Sequence, residues 1–192
     1  MFEDYKIYLL SKSPRRAQLL HSMGFEFQII KPTIQEVYPK NLRAEEIPVF
    51  LSKLKTSSLL NNISKDAITI SADTVVLSKG NILGKPKSRE EAFSMLKNLN
   101  SGTHSVVSGV TISYKDAIKS FSETTQVEFT NLTDQEIAYY IDSFNPYDKA
   151  GAYGIQEWIG LIGVRSITGC FYNVMGLPTP RLYEELKKII AK

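Results

Sequence analysis

The 192-residue chain is long enough for one domain with a substantial core, and 43% hydrophobic and 22% charged residues are typical of a soluble globular protein. Its formal charge of +3 is small and its basic residues are dispersed, which does not favour nucleic acid as a partner. The single cysteine, Cys170, excludes an intrachain disulfide and a cysteine-based zinc cluster, and no apolar run approaches the ~20 residues that span a bilayer. We expect a single domain, 1–192, from the length of the chain. The first residues lack the apolar core of a signal peptide, so we expect this domain in the reducing cytoplasm.

The N-terminal part of the chain alternates between strand and helix patterns. The periodicities predict a strand at 7–10, a helix opened by Ser13 and Pro14 and closed by Gly24, a strand at 25–30, a helix at 44–60 and an apolar strand at 67–77. A turn at 79–81 returns the chain through a short strand at 82–83.

The C-terminal part adds a long hairpin and further helices. We expect a helix capped by Ser88, β-rich runs at 106–114 and 118–129, a helix opened by the Thr133–Glu136 capping box, and an amphipathic helix at 179–190. Six of the 11 glycines fall between residues 151 and 176, which predicts tight backbone turns where the chain can approach a ligand or another strand closely. Strand–helix alternation with one long hairpin indicates an α/β fold with a mixed sheet.

The stretch Ser11-Lys12-Ser13-Pro14-Arg15-Arg16 predicts an anion site. Two hydroxyls, two guanidinium groups and the positive end of a helix dipole come together there, which suits a phosphate. The alternative is a well-capped surface helix with solvated arginines.

Asp73 is the most informative single residue, because it interrupts an apolar, β-branched segment where a carboxylate is costly without compensation. We expect it at the carboxyl end of its strand, where ligands collect in open α/β sheets. The alternative is an aspartate at a β-bulge, bonded to backbone N–H groups.

Several other residues are ambiguous when each is considered alone. By default, Lys85 is a solvated turn lysine, Lys55 a helix lysine that extends to solvent, and Glu36 a surface residue. Gln156 ends a small-residue loop and carries an amide that can donate and accept, which suits a nucleobase edge; the alternative is an exposed turn glutamine. We interpret His21 and His104 as incidental and Cys170 as a small buried residue rather than a nucleophile.

Taken together, these residues resemble the Maf family of nucleoside triphosphate pyrophosphatases, also called septum-formation inhibitor proteins. The matches occur in the family's order over nearly the whole chain: Ser11 to Arg16, Glu36, Lys55, Ala72-Asp73-Thr74, Gly84-Lys85-Pro86, Asp148 to Gln156 and Gly176-Leu177-Pro178. The resemblance implies an elongated mixed β-sheet flanked by helices, of the Maf and inosine triphosphate pyrophosphatase type, with two lobes and a central cleft.

The resemblance also implies hydrolysis of a nucleoside triphosphate to the monophosphate and pyrophosphate, with Mg²⁺ or Mn²⁺ as the cofactor. It makes Asp73 the proton acceptor and places Asp73 and Glu36 at the metal. It assigns phosphate binding to Ser11, Arg16, Lys55 and Lys85. Arg15, Thr74 and Gln156 match the set of the branch that acts on dTTP and UTP, rather than the branch that acts on 7-methyl-GTP.

The sequence therefore leaves three alternative functions open. The first is a dTTP/UTP pyrophosphatase, with a homodimer implied by the resemblance and with no nucleic acid or membrane partner. The second is a nucleotide-responsive interaction protein that restrains cell division, with hydrolysis secondary. The third is a nucleic-acid-binding protein, which predicts a basic, aromatic-studded face that the sequence does not clearly offer.

Overall fold

The computed structural model describes residues 2–191. Its strands and helices follow in this order: β1 (Ile7–Leu10), α1 (Pro14–Ser22), β2 (Gln28–Ile30), α2 (Ile47–Ser57), β3 (Ile68–Ser78), β4 (Asn81–Leu83), α3 (Arg89–Leu99), β5 (Thr103–Tyr114), β6 (Ala117–Phe129), α4 (Asp134–Phe144), α5 (Trp158–Gly163), β7 (Val164–Thr168), α6 (Phe171–Met175) and α7 (Thr179–Ile190). Among these residues, no helix combines the length and the apolar character needed to cross a membrane.

The strands form one seven-stranded sheet in the order β2-β1-β3-β5-β6-β7, with β4 paired to β3. β1 runs parallel to both β2 and β3, whereas β4 is antiparallel to β3 and β7 is antiparallel to β6. The predicted α/β fold with a mixed sheet flanked by helices is therefore confirmed. The central cleft remains a prediction.

The chain divides into two compact units. The first unit comprises Met1–Asp73, Ser108–Glu123 and Gly176–Lys192, and the second comprises Thr74–Val107 and Thr124–Met175. The division falls within β3, β5 and β6, so each of these long strands contributes residues to both units. The expectation of a single domain over 1–192 stays a prediction.

Each unit has its own buried apolar residues. In the first unit these include Leu9, Leu10, Leu20, Ile68, Ile70, Leu182 and Leu186. In the second unit, one cluster joins the inner faces of α3, α4 and the strands, and it includes Leu96, Val127, Phe129, Ile137, Tyr140, Tyr153 and Ile159. Burial at this scale supplies the main favourable free energy of folding.

Capping chemistry sets several helix boundaries as predicted. The Ser88 hydroxyl accepts from the Glu91 amide at 3.2 Å. At the start of α4, the Thr133 hydroxyl accepts from the Glu136 amide and the Glu136 carboxylate accepts from the Thr133 amide, which completes the capping box. Gly24 follows the end of α1 with a φ of +80°, which a glycine adopts without strain.

The largest departure from the predicted elements lies between residues 145 and 176. Turns were expected from the glycine density, but the structure places α5, β7 and α6 there. Gly160 shows the reason, because a Cβ at this position would lie 1.8 Å from the carbonyl oxygen of Ile155. This glycine permits close packing at the start of a helix, so its presence does not mark a turn.

Two other boundaries also differ from the predictions. β2 covers only 28–30 of the predicted 25–30, because Phe25 belongs instead to an aromatic group with Phe2, at a ring-centroid distance of 4.9 Å. The predicted helix at 44–60 begins as a 3₁₀ turn, and α2 starts at Ile47, where Pro48 suits the first turn.

Candidate active site

The turn between β1 and α1 is closed by Ser11. Its amide donates to the carbonyl of Ile30 at 3.1 Å, and its buried hydroxyl accepts from the Ser13 amide at 3.1 Å. Ser13 occupies the predicted N-cap position and Pro14 begins the helix, but among the described residues the Ser13 side chain makes no capping bond. The Ser11 hydroxyl instead accepts a hydrogen bond from the Ser13 amide and so stabilises the turn between β1 and α1.

The first turn of α1 carries two arginines and contains no acidic residue of its own. Arg16 is half-buried, and its Nε donates to the carbonyl of Gly176 at 2.8 Å, which ties α1 to the segment that precedes α7. Burial lowers the pKa of the Arg16 guanidinium, while the charges of Asp73 and Glu36 oppose this effect. An arginine keeps its proton at neutral pH even so, and Arg16 therefore presents a fixed positive charge near both carboxylates.

Lys55 contacts the carboxylates of both Asp73 and Glu36. It lies in the last turn of α2 with only 7% of its side chain exposed, and its Nζ is 2.5 Å from Asp73 Oδ1 and 3.0 Å from Glu36 Oε1. Nζ also lies 3.4 Å from the carbonyl oxygen of Ala72. A buried ammonium needs such partners, and the default expectation that Lys55 extends to solvent is wrong.

Asp73 lies in the middle of β3, not at its carboxyl end, because β3 continues to Ser78. The pairing of β1 with β3 ends at Ser71, so Asp73 follows the last residue of that parallel ladder by two positions. Ligands collect beyond the ends of parallel strands. Asp73 therefore lies just beyond the end of the pairing between β1 and β3, as expected, but it does not lie at the end of β3 itself. With 13% of the side chain exposed, the carboxylate is compensated by the Lys55 ammonium.

The position of α2 on the sheet fixes where Lys55 points. At Gly109 of β5 a Cβ would lie 2.1 Å from the backbone nitrogen of Val49, so the helix start sits directly on the strand. Two turns further along, the Thr56 hydroxyl lies 2.6 Å from the Ser71 hydroxyl, which itself donates to the carbonyl of Ser52 at 2.8 Å. These buried hydroxyls join the helix that carries Lys55 to the strand that carries Asp73.

The role of these hydroxyl residues and of Gly109 was not predicted from the sequence. Their signal was present as small polar residues within apolar helix and strand patterns, such as Ser71 among Ile70, Ala72 and Val75. Buried hydroxyls are hydrogen-bonded in folded proteins, so such positions predict a partner but do not identify it.

The carboxylates of Asp73 and Glu36 fit part of a divalent cation site. Each has an oxygen within 3.0 Å of the same ammonium nitrogen, so the two side chains converge where positive charge is already held. Carboxylate oxygens suit Mg²⁺ and Mn²⁺. Residues 2–191 contain no group of three or more His, Cys, Asp or Glu side chains that could hold a metal, so a cation here would take further ligands from water or phosphate.

The remaining predicted site residues belong to the second unit. Thr74 is half-buried on β3, Lys85 is exposed before the buried Pro86, and Gln156 is exposed. The carbonyl of Gly84 accepts from the Gly151 amide at 3.0 Å, which links the turn of Lys85 to the loop that ends at Gln156. Whether these residues join those of the first unit in one site stays a prediction.

The loop that ends at Gln156 is held by a charged cluster that the sequence analysis missed. Lys149 is buried, and its Nζ lies 2.8 Å from Asp148 Oδ1 and 3.0 Å from Glu157 Oε1. The hydroxyl of Tyr140 donates to the Glu157 carboxylate and accepts from the Gly154 amide at 3.0 Å. Burial, reinforced by Glu157, raises the pKa of Tyr140, which therefore keeps its proton as a donor.

A buried ammonium between two carboxylates, near an arginine-bearing helix start, defines a candidate site for an anionic, phosphate-bearing ligand. The model of the Maf-like protein family matches residues 6–189, and the chain belongs to this family.

Curated relatives cover almost the whole chain. It is 48% identical to a dTTP/UTP pyrophosphatase of Phocaeicola vulgatus over 188 residues, with 97% of each chain covered. It is 44% identical to a protein of the same name from Bacteroides fragilis, again with 97% of each chain covered. The family resemblance stated from the motifs is thereby confirmed.

Among solved structures, the chain is similar to the Staphylococcus aureus Ham1 protein. The identity is 18%, 83% of this chain and 92% of that chain are covered, and the TM-score is 0.46. At this TM-score the likeness is too weak to support a conclusion.

Proposed function

We propose that this chain hydrolyses dTTP and UTP to the nucleoside monophosphate and pyrophosphate. The names of the curated relatives support the substrate class, and the buried Lys55–Asp73 pair carries the proposal within the structure. A carboxylate and an ammonium in contact and largely shielded from water are costly to maintain for stability alone. They are well suited to phosphoryl chemistry, which needs a group to orient water and cations to offset charge.

In the proposed reaction, water attacks the α-phosphorus and the bond between this phosphorus and the oxygen bridging to the β-phosphate breaks. Asp73 accepts the proton of the attacking water, and pyrophosphate leaves. Ser11, Arg16, Lys55 and Lys85 bind phosphate oxygens, as the family resemblance implies. Fixed charges of this kind stabilise the developing negative charge because they need no reorganisation during the reaction.

We also propose Mg²⁺ or Mn²⁺ as the cofactor, held by Asp73 and Glu36. When bound, such a cation would lower the pKa of water and offset negative charge on the phosphates. The exposure of Glu36, at 54% of its side chain, suits a ligand that must exchange between Lys55 and an incoming cation.

Selection of the base is assigned to Arg15, Thr74 and Gln156. The guanidinium and the amide supply paired hydrogen bonds to a pyrimidine edge, and a base with another pattern leaves polar groups of the site unpaired. The cytoplasm is the proposed setting, since it provides nucleoside triphosphates and keeps Cys170 reduced. A homodimer is proposed on the family resemblance.

The test is pyrophosphate release from dTTP, UTP, CTP, GTP and 7-methyl-GTP, with magnesium or manganese, by the wild type and by Asp73→Asn. Release from dTTP and UTP that falls by at least about 100-fold in the variant supports the proposal. Turnover of 7-methyl-GTP in preference to dTTP and UTP contradicts the base assignment. No release from any nucleotide by folded protein contradicts the enzyme and favours the nucleotide-responsive interaction protein.

A further inference from the structure

We infer that Tyr140, Glu157 and Lys149 form a clamp that positions Gln156 for base discrimination; this inference rests on the proposed function. The proposed function places none of these three side chains in contact with the nucleotide. Each is a positioning residue, acting through the backbone of the loop that ends at Gln156.

The three side chains of the clamp are largely buried. The Lys149 side chain is 9% exposed and the Glu157 side chain 21%, and Tyr140 is fully buried. Removing an ammonium and a carboxylate from water costs several kcal/mol per ion. Such an arrangement favours one geometry, because the Glu157 carboxylate is held by both the Tyr140 hydroxyl and the Lys149 ammonium.

The second observation is that the clamp binds both ends of a short loop. Lys149 lies at its start and Glu157 at its end, and the Lys149 ammonium joins them directly. Between them, Ala152 has a φ of +60°, and such a backbone at a residue other than glycine persists only where the surrounding structure holds it. The pairing of Lys149 with Glu157 therefore constrains the whole loop, not one contact.

The third observation is the contact with the loop backbone next to Gln156. The Tyr140 hydroxyl accepts from the Gly154 amide while it donates to Glu157, so one hydroxyl fastens the backbone two residues before Gln156 to the side chain one residue after it. A Cβ at Gly154 would lie 2.8 Å from the Glu157 carboxyl carbon, which shows how closely the carboxylate is seated.

The result is an exposed amide on a fixed backbone. Ile155 is buried on one side of Gln156 and Glu157 is held on the other, while the Gln156 side chain remains exposed. Glu157 stands at the N-cap of α5 but makes no side-chain cap among the described residues; its carboxylate is engaged by Tyr140 and Lys149 instead. Loosening the clamp should therefore reduce selectivity for the base more than it reduces turnover.

The experiment compares the ratio of kcat/KM for dTTP to kcat/KM for GTP in the wild type, Tyr140→Phe and Glu157→Gln. The matched control is Tyr139→Phe, which removes a hydroxyl from the exposed neighbouring tyrosine of the same helix. We expect the ratio to fall about tenfold in both clamp variants, mainly through KM for dTTP, because a displaced polar group loses discrimination against the wrong base. The control should keep the wild-type ratio.

A second measurement monitors the hydrogen bond from the Gly154 amide to the Tyr140 hydroxyl. Hydrogen exchange of the Gly154 amide should accelerate in Tyr140→Phe and stay unchanged in Tyr139→Phe, since only the first variant removes its acceptor. Tyr140→Phe keeps the volume of the ring, so it serves even where Glu157→Gln fails to fold.

Different results would refute the clamp and the base selection by Gln156. If the wild type prefers dTTP and Tyr140→Phe retains that preference within about twofold while the Gly154 amide is deprotected, the clamp inference is overturned and the proposed function stands. If the wild type shows no preference for dTTP over GTP, base selection by Gln156 is refuted, and the inference with it.

Discussion

Lowering the pH from about 7.5 to 5 should destabilise the protein through His104. This imidazole is buried in the second unit, where its Nε2 lies 2.7 Å from the Tyr153 hydroxyl and its ring packs edge-on against Phe129. Its Nδ1 is buried without a hydrogen-bond partner among the described residues. A protonated ring would carry N–H groups on both nitrogens and leave one of them unpaired.

Burial lowers the pKa of His104 from its ordinary value of 6.5 to about 4. Below pH 6.5 the unfolded chain takes up a proton that the folded chain accepts only near pH 4. Stability is therefore lost as the pH falls through this window. One pKa unit corresponds to ~1.4 kcal/mol, so the loss is about 2 kcal/mol at pH 5 and about 3 kcal/mol at pH 4.

The assay is urea unfolding of the wild type, His104→Gln and His21→Gln at pH 7.5 and pH 5. Carboxylates that titrate in this range contribute equally to all three proteins, so only differences between the pH-dependent losses are interpreted. The wild-type loss should exceed that of His104→Gln by about 2 kcal/mol. Exposed His21 on α1 is the control, and its variant should match the wild type. Equal losses in the wild type and His104→Gln would refute the reasoning.

Three further perturbations test the site in the first unit. Gly109→Ala should lower the free energy of unfolding by about 3 kcal/mol or more in urea denaturation, because its Cβ would clash with the backbone of α2, whereas Gly102→Ala should be tolerated. Lys55→Met should cost about 3 kcal/mol by leaving Asp73 without its ammonium, and this cost should shrink in the double variant with Asp73→Asn, a coupling that a double-mutant cycle measures. Glu36→Gln should change stability by less than ~1 kcal/mol, since the side chain is half exposed, yet raise the magnesium concentration for half-maximal rate about tenfold.

Each of these has a clear contrary result. A Gly109→Ala protein as stable as Gly102→Ala would mean that α2 can shift without cost. Additive losses for Lys55→Met and Asp73→Asn would deny that the two groups stabilise each other. An unchanged magnesium requirement in Glu36→Gln would remove this carboxylate from the cation site.

Local chemistry made much of the fold predictable. The Thr133 capping box and the glycine after α1 act within one helical turn, so their effect can be inferred from adjacent residues. The same holds for Asp73, whose cost within an apolar strand requires a compensating group wherever the chain folds. The sequence pattern could not identify Lys55 as that group, because the pairing depends on how α2 packs against β3.

The region from 145 to 176 was the hardest to predict, for a related reason. The glycine density of this region predicts turns, but Gly160 and Gly163 allow α5 to pack closely against the chain before it and against Leu132. The clamp was missed because Tyr140 is in α4 and looks like an ordinary core residue of that helix. Only the tertiary structure brings its hydroxyl to Glu157.

Isotope labelling identifies the phosphorus atom that water attacks. UTP hydrolysed in water enriched in oxygen-18, with magnesium present, should give uridine monophosphate that carries the label and pyrophosphate that does not, as mass spectrometry of both products will show. That result places attack at the α-phosphorus, as required if Asp73 orients water there. Label in pyrophosphate, or release of orthophosphate, would place the attack at another phosphorus and contradict the account.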